Sequence, residues 1–75
     1  MQRLVDARGL LCPLPLLRAR AALATLSPGD SLLVLATDPE APIDLAALAA
    51  DEGLVFEHEH VGGEWRCTLR TSAPS

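Results

Sequence analysis

Apolar residues recur at two different spacings along the chain, and these spacings divide it into strands and helices. An unbroken apolar run in residues 31–37 is typical of a central strand paired on both edges, and residues 2–6 predict a shorter strand before it. Residues 13–26 and 42–52 have the spacing of helices. The residues expected on their apolar sides are Leu16, Ala19, Leu23 and Leu26 in the first helix and Ile43, Ala46, Ala47 and Ala50 in the second.

Two further strands, Leu54–Val61 and Glu64–Thr71, are joined by Gly62-Gly63, a dipeptide that supplies the positive φ angles of a tight hairpin turn. A two-residue loop fixes the register. The pairs expected to face the helices are Phe56 with Leu69, His58 with Cys67, and His60 with Trp65. The predicted order is β-α-β-α-β-β. Two short helices cover one face of a four-stranded mixed sheet, so we expect an α/β (α+β) two-layer sandwich.

The composition fits a single small domain over residues 1–75, ordered from about 2 to 71 and followed by a loose tail at 72–75. With 49% hydrophobic and 21% charged residues, the chain is too apolar to be disordered. It has no apolar run near the ~18 residues of a membrane span, and its first residues lack a secretory signal. We therefore expect a cytoplasmic protein. The net charge of −4, with no cluster of basic residues, argues against direct nucleic-acid binding.

Cys12 is the candidate reactive group, because the run Cys12-Pro13-Leu14-Pro15 places it at the start of the first helix. Pro13 suits the first helical position, and Pro15 is still within the first turn, where proline is tolerated. The free N–H groups and the macrodipole at a helix N-terminus favour a thiolate. The two prolines leave the N–H of Leu14 as a donor that can point at the sulfur. The sequence therefore predicts a reactive thiol.

The rest of the sequence argues against other thiol chemistries. Pro15 stands where a Cys-x-x-Cys redox pair needs its second cysteine. His58 and His60 lie on a later strand, so no neighbouring base completes a hydrolytic pair. A metal site built from these histidines and Cys67 matches no standard zinc spacing, and Cys67 is expected to be buried and inert. We expect neither a metal nor another cofactor, and a thiol that carries rather than hydrolyses.

Asp6 and Gly9 precede the Cys-Pro-x-Pro run at a spacing that resembles the TusA family of sulfur carrier proteins, also called SirA-like. Asp38-Pro39 after the central strand, followed by Asp44, is similar to a second feature of that family. The resemblance covers residues 3 to about 71. It implies a β-α-β-α-β-β sandwich similar to the C-terminal domain of translation initiation factor three, in agreement with the apolar pattern.

The resemblance also implies a function. Cys12 would hold sulfane sulfur as a covalent persulfide, received from a cysteine desulfurase or a rhodanese. It would pass the sulfur to an accepting protein, such as a DsrE-like protein or a component of tRNA thiolation, molybdenum cofactor synthesis or sulfur oxidation. This is a sulfurtransferase-type relay rather than an enzyme with free turnover. Arg8, Arg18 and Arg20 are the cations expected near the thiol, as candidates for partner docking.

Two other functions stay open. A regulatory or docking module would use the Cys-Pro-x-Pro surface without transferring sulfur. A thiol-dependent redox enzyme would need the Cα atoms of Cys12 and Cys67 within about 7 Å, which burial of Cys67 disfavours. Asp6 and Asp44 either accept backbone hydrogen bonds that orient the Cys12 loop or serve as ordinary turn and cap residues. Asp38 is expected to act in a turn or helix cap.

Overall fold

Six elements follow one another in the order that the apolar pattern predicts. The computed structural model describes residues 2–71. The elements are β1 (Gln2–Ala7), α1 (Leu14–Leu23), β2 (Ser31–Ala36), α2 (Ala41–Glu52), β3 (Leu54–Val61) and β4 (Glu64–Thr71). The predicted two-layer α/β sandwich is confirmed. The expected loose tail, residues 72–75, lies outside the described residues. Neither described helix is long and apolar enough to cross a membrane.

The sheet has the strand order β1-β2-β4-β3. β1 and β2 are parallel, with α1 as the crossover between them, and both other pairs are antiparallel. The predicted central position of the apolar strand is confirmed, because β2 pairs with β1 on one edge and β4 on the other. Parallel pairing places the C-terminal ends of β1 and β2 side by side, with Ala7 opposite Ala36. Both chain segments that follow these strands therefore begin at one end of the sheet.

The β3–β4 hairpin has the predicted register. Phe56 is opposite Leu69, His58 is opposite Cys67, and His60 is opposite Trp65. The turn uses Gly62 and Gly63 with φ angles of 58° and 78°, which a side chain at either position would disfavour. These two positive φ angles match the twist of the strands, so the glycine pair decides which residues face the helices.

The core lies between the sheet and the helices. Its buried members are Ala7, Ala19, Leu32, Val34, Leu45, Leu48, Ala49, Cys67 and Leu69. Along β2 the burial alternates strictly, so one face of the strand points into the core and the other is half-buried. Cys67 has no exposed surface, which confirms its predicted burial.

The apolar side predicted for α2 is wrong. Ile43 is 70% exposed, and Ala47 and Ala50 are also exposed, whereas the helix turns Leu45 and Leu48 into the core. Nearly every side chain of α2 is apolar, so spacing alone does not select a face. The face with leucines is buried because it removes more apolar area from water than a face of alanines.

The first helix is shorter than the predicted range 13–26. Regular α-helix ends at Leu23, and the next residues tighten into i→i+3 bonds, from Thr25 N–H to the Ala22 carbonyl and from Leu26 N–H to the Leu23 carbonyl. The Thr25 hydroxyl donates to the same Ala22 carbonyl at 2.8 Å. A threonine that bonds the preceding turn in this way competes with continued helix. Leu26 still packs against the core, as its spacing predicted.

Removing the buried leucine of α2 tests this assignment. Leu45→Ala is expected to lower the free energy of unfolding by about 2–5 kcal/mol, because it leaves a cavity among core side chains. Ile43→Ala on the same helix is the matched control and should change it by less than about 0.5 kcal/mol, because that side chain is largely in water. Urea unfolding followed by circular dichroism measures both. A larger loss for Ile43→Ala than for Leu45→Ala would show that α2 packs on the other face.

Candidate functional site

The site forms where the segments after β1 and β2 meet. The N–H of Gly9 donates to Thr37 Oγ1 at 3.0 Å, and the N–H of Cys12 donates to Asp38 Oδ2 at 2.7 Å. Gly9 has a φ of +80°, a conformation that favours glycine and turns the chain back toward the second segment. Two side chains that directly follow β2 therefore hold the loop that carries the thiol.

The thiol of Cys12 is exposed and donates a hydrogen bond to a carboxylate. Its Sγ lies 3.0 Å from Oδ2 of Asp44, which is in the first turn of α2. Asp44 is thus brought to the sulfur by the second helix, and it bonds the side chain of Cys12 rather than its backbone. The sequence left two roles open for Asp44, orienting the loop through backbone hydrogen bonds or acting as an ordinary turn and cap residue. In the structure Asp44 does neither with Cys12 and instead positions the thiol.

The electrostatics of the site favour the protonated thiol. The hydrogen bond to Asp44 is the largest cause, followed by desolvation and by the negative charges of Asp44, Glu40 and Asp38, and together they raise the pKa of Cys12 from 9.0 to about 11. The expectation of a thiolate at the helix start is therefore wrong. A full negative charge in hydrogen-bond contact outweighs the partial positive charge of a helix end.

The beginning of α1 explains why the helix offers so little to the sulfur. The cap position is Pro13 rather than Cys12, and regular helix begins at Leu14. The N–H of Leu14 donates to the carbonyl of Leu11 at 2.9 Å, so the prediction that it is free to point at the sulfur is wrong. Pro15, the next residue, has no N–H to give. The two prolines set the direction of the chain but remove the donors that would stabilise a thiolate.

Asp38 links the thiol loop to the start of α2. Besides the N–H of Cys12, it accepts the N–H of Glu40 at 3.0 Å through its other oxygen. These two backbone donors, that of Glu40 first, lower the pKa of the Asp38 carboxyl. Asp38 has the turn role that the sequence predicted and in addition fixes the backbone of the cysteine.

Asp6 contacts the beginning of the loop rather than the thiol. Its carboxylate accepts the backbone N–H of Arg8 at 3.2 Å and pairs with the Arg8 guanidinium at 2.8 Å. The bond from this guanidinium is the main reason that the pKa of Asp6 falls to about 2. The Arg8 guanidinium also forms a second ion pair, with Glu64 at 3.3 Å, so both of its partners within the described residues are carboxylates. Its proposed docking role stays a prediction.

The other two candidate docking cations lie along α1. Arg20 lines a shallow concavity with Glu52, Leu54 and Thr71, at the end of the sheet away from Ala36 and the thiol loop. Arg18 lies about 6 Å along the helix from Leu14, since each residue rises 1.5 Å. Of the two, Arg18 is nearer the start of the helix where Cys12 lies.

The two histidines of β3 form an aromatic cluster with Phe56 and Trp65. His60 stacks on Trp65 with ring centroids 4.1 Å apart, and His58 lies 5.5 Å from the ring of Phe56. Within residues 2–71, no three metal-ligating side chains converge. Burial raises the pKa of the Cys67 thiol to about 11. Neither histidine of β3 bonds the Cys12 thiol in the part of the chain described.

Sequence reasoning missed Thr37 and Glu40. Thr37 bonds the loop at Gly9, and Glu40 adds negative charge near the sulfur. Both flank the Asp38-Pro39 pair, in the segment that follows β2. Parallel pairing of β1 and β2 brings this segment beside the loop of Cys12, so that pairing was the signal that would have indicated them. A helix that connects two neighbouring strands is the usual crossover of a parallel pair.

A pH profile of Cys12 alkylation tests the electrostatics. Because the raised pKa keeps the thiol protonated, the rate with iodoacetamide should be low at neutral pH and rise with a midpoint near pH 11. Asp44→Asn removes the main cause, so the midpoint should move down toward 9.0 and the rate at pH 8 should rise about tenfold or more. Peptide mass spectrometry assigns the label to Cys12.

Asp51→Asn is the matched control, because it removes an equal charge from α2 without being among the groups that raise the thiol pKa. It should leave the profile unchanged. A wild-type midpoint below pH 9 would contradict the assigned role of Asp44.

Comparison with known proteins agrees with this geometry. The family model described as sulfurtransferase TusA matches residues 3–71. The chain is 41% identical over 69 residues to the sulfur carrier protein TusA of Allochromatium vinosum, covering 91% of each. It is 53% identical over 52 residues to a Neisseria meningitidis protein with a provisional sulfur-carrier name, covering 69% of this chain and 70% of that one.

Among solved structures, the SirA-like protein of Desulfitobacterium hafniense matches with a TM-score of 0.83 and 31% identity. The match covers 92% of this chain and 95% of that one. Sequence, family model and fold agree over almost the same residues, so the chain belongs to the TusA, or SirA-like, family of sulfur carrier proteins.

Proposed function

We propose that the protein is a sulfur carrier in which Cys12 accepts sulfane sulfur as a persulfide from a cysteine desulfurase or a rhodanese. It then passes this sulfur to an accepting protein, such as a DsrE-like protein or a component of tRNA thiolation, molybdenum cofactor synthesis or sulfur oxidation. The observation that carries the proposal is the exposed Sγ of Cys12, which lies 3.0 Å from Oδ2 of Asp44. The loop that carries Cys12 is held in place by Asp38, which accepts the backbone N–H of Cys12.

Loading is an exchange without net oxidation. The sulfur of Cys12 attacks the outer sulfur of the donor's persulfide, a new S–S bond forms on Cys12, and the donor's own S–S bond breaks. The donor leaves as a thiolate and takes up the proton that Cys12 loses. Asp44 is the acceptor in hydrogen-bond contact with that proton, so it is the group through which the proton departs. Delivery reverses the roles, because an acceptor nucleophile attacks the outer sulfur of the Cys12 persulfide.

The surroundings of Cys12 support a carrier that works in contact with other proteins. Leu11 is 72% exposed, and Leu14 and Leu17 are 44% and 47% exposed, so apolar side chains flank the thiol. Such side chains contribute to binding when a partner covers them. A thiol kept protonated in the free protein also resists alkylation and oxidation between encounters, because the thiolate is the reactive form.

The persulfide is covalent, so the proposal includes no resident cofactor and no metal. Cys67 takes no part, because a thiol without exposed surface cannot meet a donor. Two free thiols are typical of a reducing compartment, which supports a role in the cytoplasm.

Intact-protein mass spectrometry tests the proposal. Wild type, Cys12→Ser and Cys67→Ala are each incubated with a cysteine desulfurase and L-cysteine, or with a rhodanese and thiosulfate. We expect wild type and Cys67→Ala to gain about 32 Da, one sulfur atom, in a form that reductant removes. Cys12→Ser should gain nothing, because it lacks the receiving sulfur.

Two results would overturn this function. Loading of Cys67 instead of Cys12 would show that the site is misassigned. A wild type that binds these proteins and takes up no sulfur would indicate the alternative function, a docking module.

A further inference from the structure

An apolar groove lies on the side of α2 that faces the hairpin. Its volume is about 470 Å³, and we call it the aromatic groove. The residues that line it are Pro39, Pro42, Ile43, Ala46, Phe56, His58 and Trp65. The phenylalanine and the tryptophan are the only two of the aromatic types Phe, Trp and Tyr in the whole chain. Concave sites lined by aromatic and aliphatic side chains are the places where partners insert anchoring residues.

The groove is open because of how α2 packs. The helix turns Leu45 and Leu48 into the core, which leaves Ile43 on its outer side with 70% of its surface in water. Trp65 is half-buried beneath His60, which stacks on it. An apolar wall of this kind gains free energy when another molecule removes it from water.

The aromatic groove and the thiol site share one segment, residues 38–44. Pro39 lines the groove and directly follows Asp38, whose carboxylate holds the N–H of Cys12. Ile43 lines the groove and directly precedes Asp44, whose carboxylate holds the thiol. Consecutive Cα atoms are 3.8 Å apart, so a side chain in the groove brings the rest of its protein close to Cys12.

The charge of this segment is negative. Asp38, Glu40 and Asp44 all lie on it, and the ion pairs among residues 2–71 that involve arginine use other carboxylates, those of Asp6, Glu57 and Glu64. Glu40 makes no side-chain hydrogen bond or ion pair with any described residue. A partner that covers this segment is therefore complementary if it presents arginine or lysine there.

The chemistry of loading favours the donor over the acceptor as this partner. Cys12 acts as a nucleophile only when it receives sulfur, and that step requires the thiolate that the three carboxylates disfavour. A cation from the partner at Glu40 offsets this negative charge at the time of attack. In delivery Cys12 leaves as a thiolate, but the acceptor meets the Cys12 persulfide. The donor is the partner that meets the free thiol, the form in which Cys12 bonds Asp44 in this structure.

We propose that the aromatic groove is the docking site of the sulfur donor protein, which places an apolar side chain in the groove and a basic side chain at Glu40. The proposal rests on the sulfur-carrier function. It makes Ile43 and Glu40 specificity residues for a protein donor, whereas a donor that needs no docking does not use the groove.

The experiment compares the two kinds of donor in wild type, Ile43→Arg and Leu4→Arg. The protein donors are a cysteine desulfurase with L-cysteine and a rhodanese with thiosulfate, and the faster one on wild type is used for the variants. Sodium polysulfide is the small-molecule donor. Leu4 is the matched control, because it is 62% exposed, lies on β1 away from the groove, and its substitution adds the same charge.

Ile43→Arg should load from the protein donor at least about tenfold more slowly than wild type, because it removes the groove wall and repels a basic segment. Its loading from polysulfide should be no slower than that of wild type, because polysulfide does not use the groove and an added cation favours the thiolate. Leu4→Arg should resemble wild type with both donors. In a second pair, Glu40→Gln removes one charge from the segment and Glu59→Gln removes one charge away from it. Only Glu40→Gln should lower the ratio of the protein-donor rate to the polysulfide rate, a ratio that cancels the effect of Glu40 on the thiol pKa.

The outcomes separate the inference from the function. If wild type takes up no sulfur at Cys12 from any donor, the carrier function fails and the inference fails with it. If wild type loads and Ile43→Arg loads from the protein donor at the wild-type rate, the groove is not the docking site. Equal slowing in Ile43→Arg and Leu4→Arg would show an effect of net charge alone, which also overturns the inference.

Discussion

The parallel pairing of β1 with β2 is the constraint on which the site depends. It sets Ala7 opposite Ala36, so the two segments that leave these strands start side by side at one end of the sheet. Only then can Thr37 and Asp38 reach the backbone N–H groups of the loop that carries Cys12. Parallel strands require a crossover, and α1 supplies it with the Cys-Pro-x-Pro run at its entry. The fold and the position of the thiol therefore have the same cause.

The thiol is exposed yet chemically restrained, and the balance of charges explains why. The partial positive charge of a helix N-terminus attracts a thiolate. At this helix, however, Pro15 has no N–H, and the N–H of Leu14 donates to the carbonyl of Leu11. A carboxylate at 3.0 Å has the opposite effect at full charge, and it prevails. A carrier benefits from this arrangement, because its sulfur is accessible to a partner while the thiolate stays scarce in the free protein.

The second helix combines two tasks on two parts of its surface. On one side Asp44 holds the thiol, and on the other Ile43 and Ala46 form a wall of the aromatic groove. Both sides are fixed by the buried face between them, where Leu45 and Leu48 pack on the sheet. The register of this helix on the sheet therefore sets the geometry of the sulfur and of the groove together. A rotation of the helix would change both at once, since neighbouring residues are 100° apart around its axis.

Local patterns in the sequence determined the order of elements, the central position of β2, the hairpin register and the place of Cys12 just before the first helix, because each depends on neighbouring residues or on turn chemistry. The buried face of α2 was not determined in this way, since its apolar residues surround the helix and only packing selects among them. The state of the thiol was also decided by tertiary structure, because Asp44 is distant in sequence and reaches the sulfur only through the packing of two helices. Spacing shows where a reactive group lies, but its charge state is set by the residues that the fold places beside it.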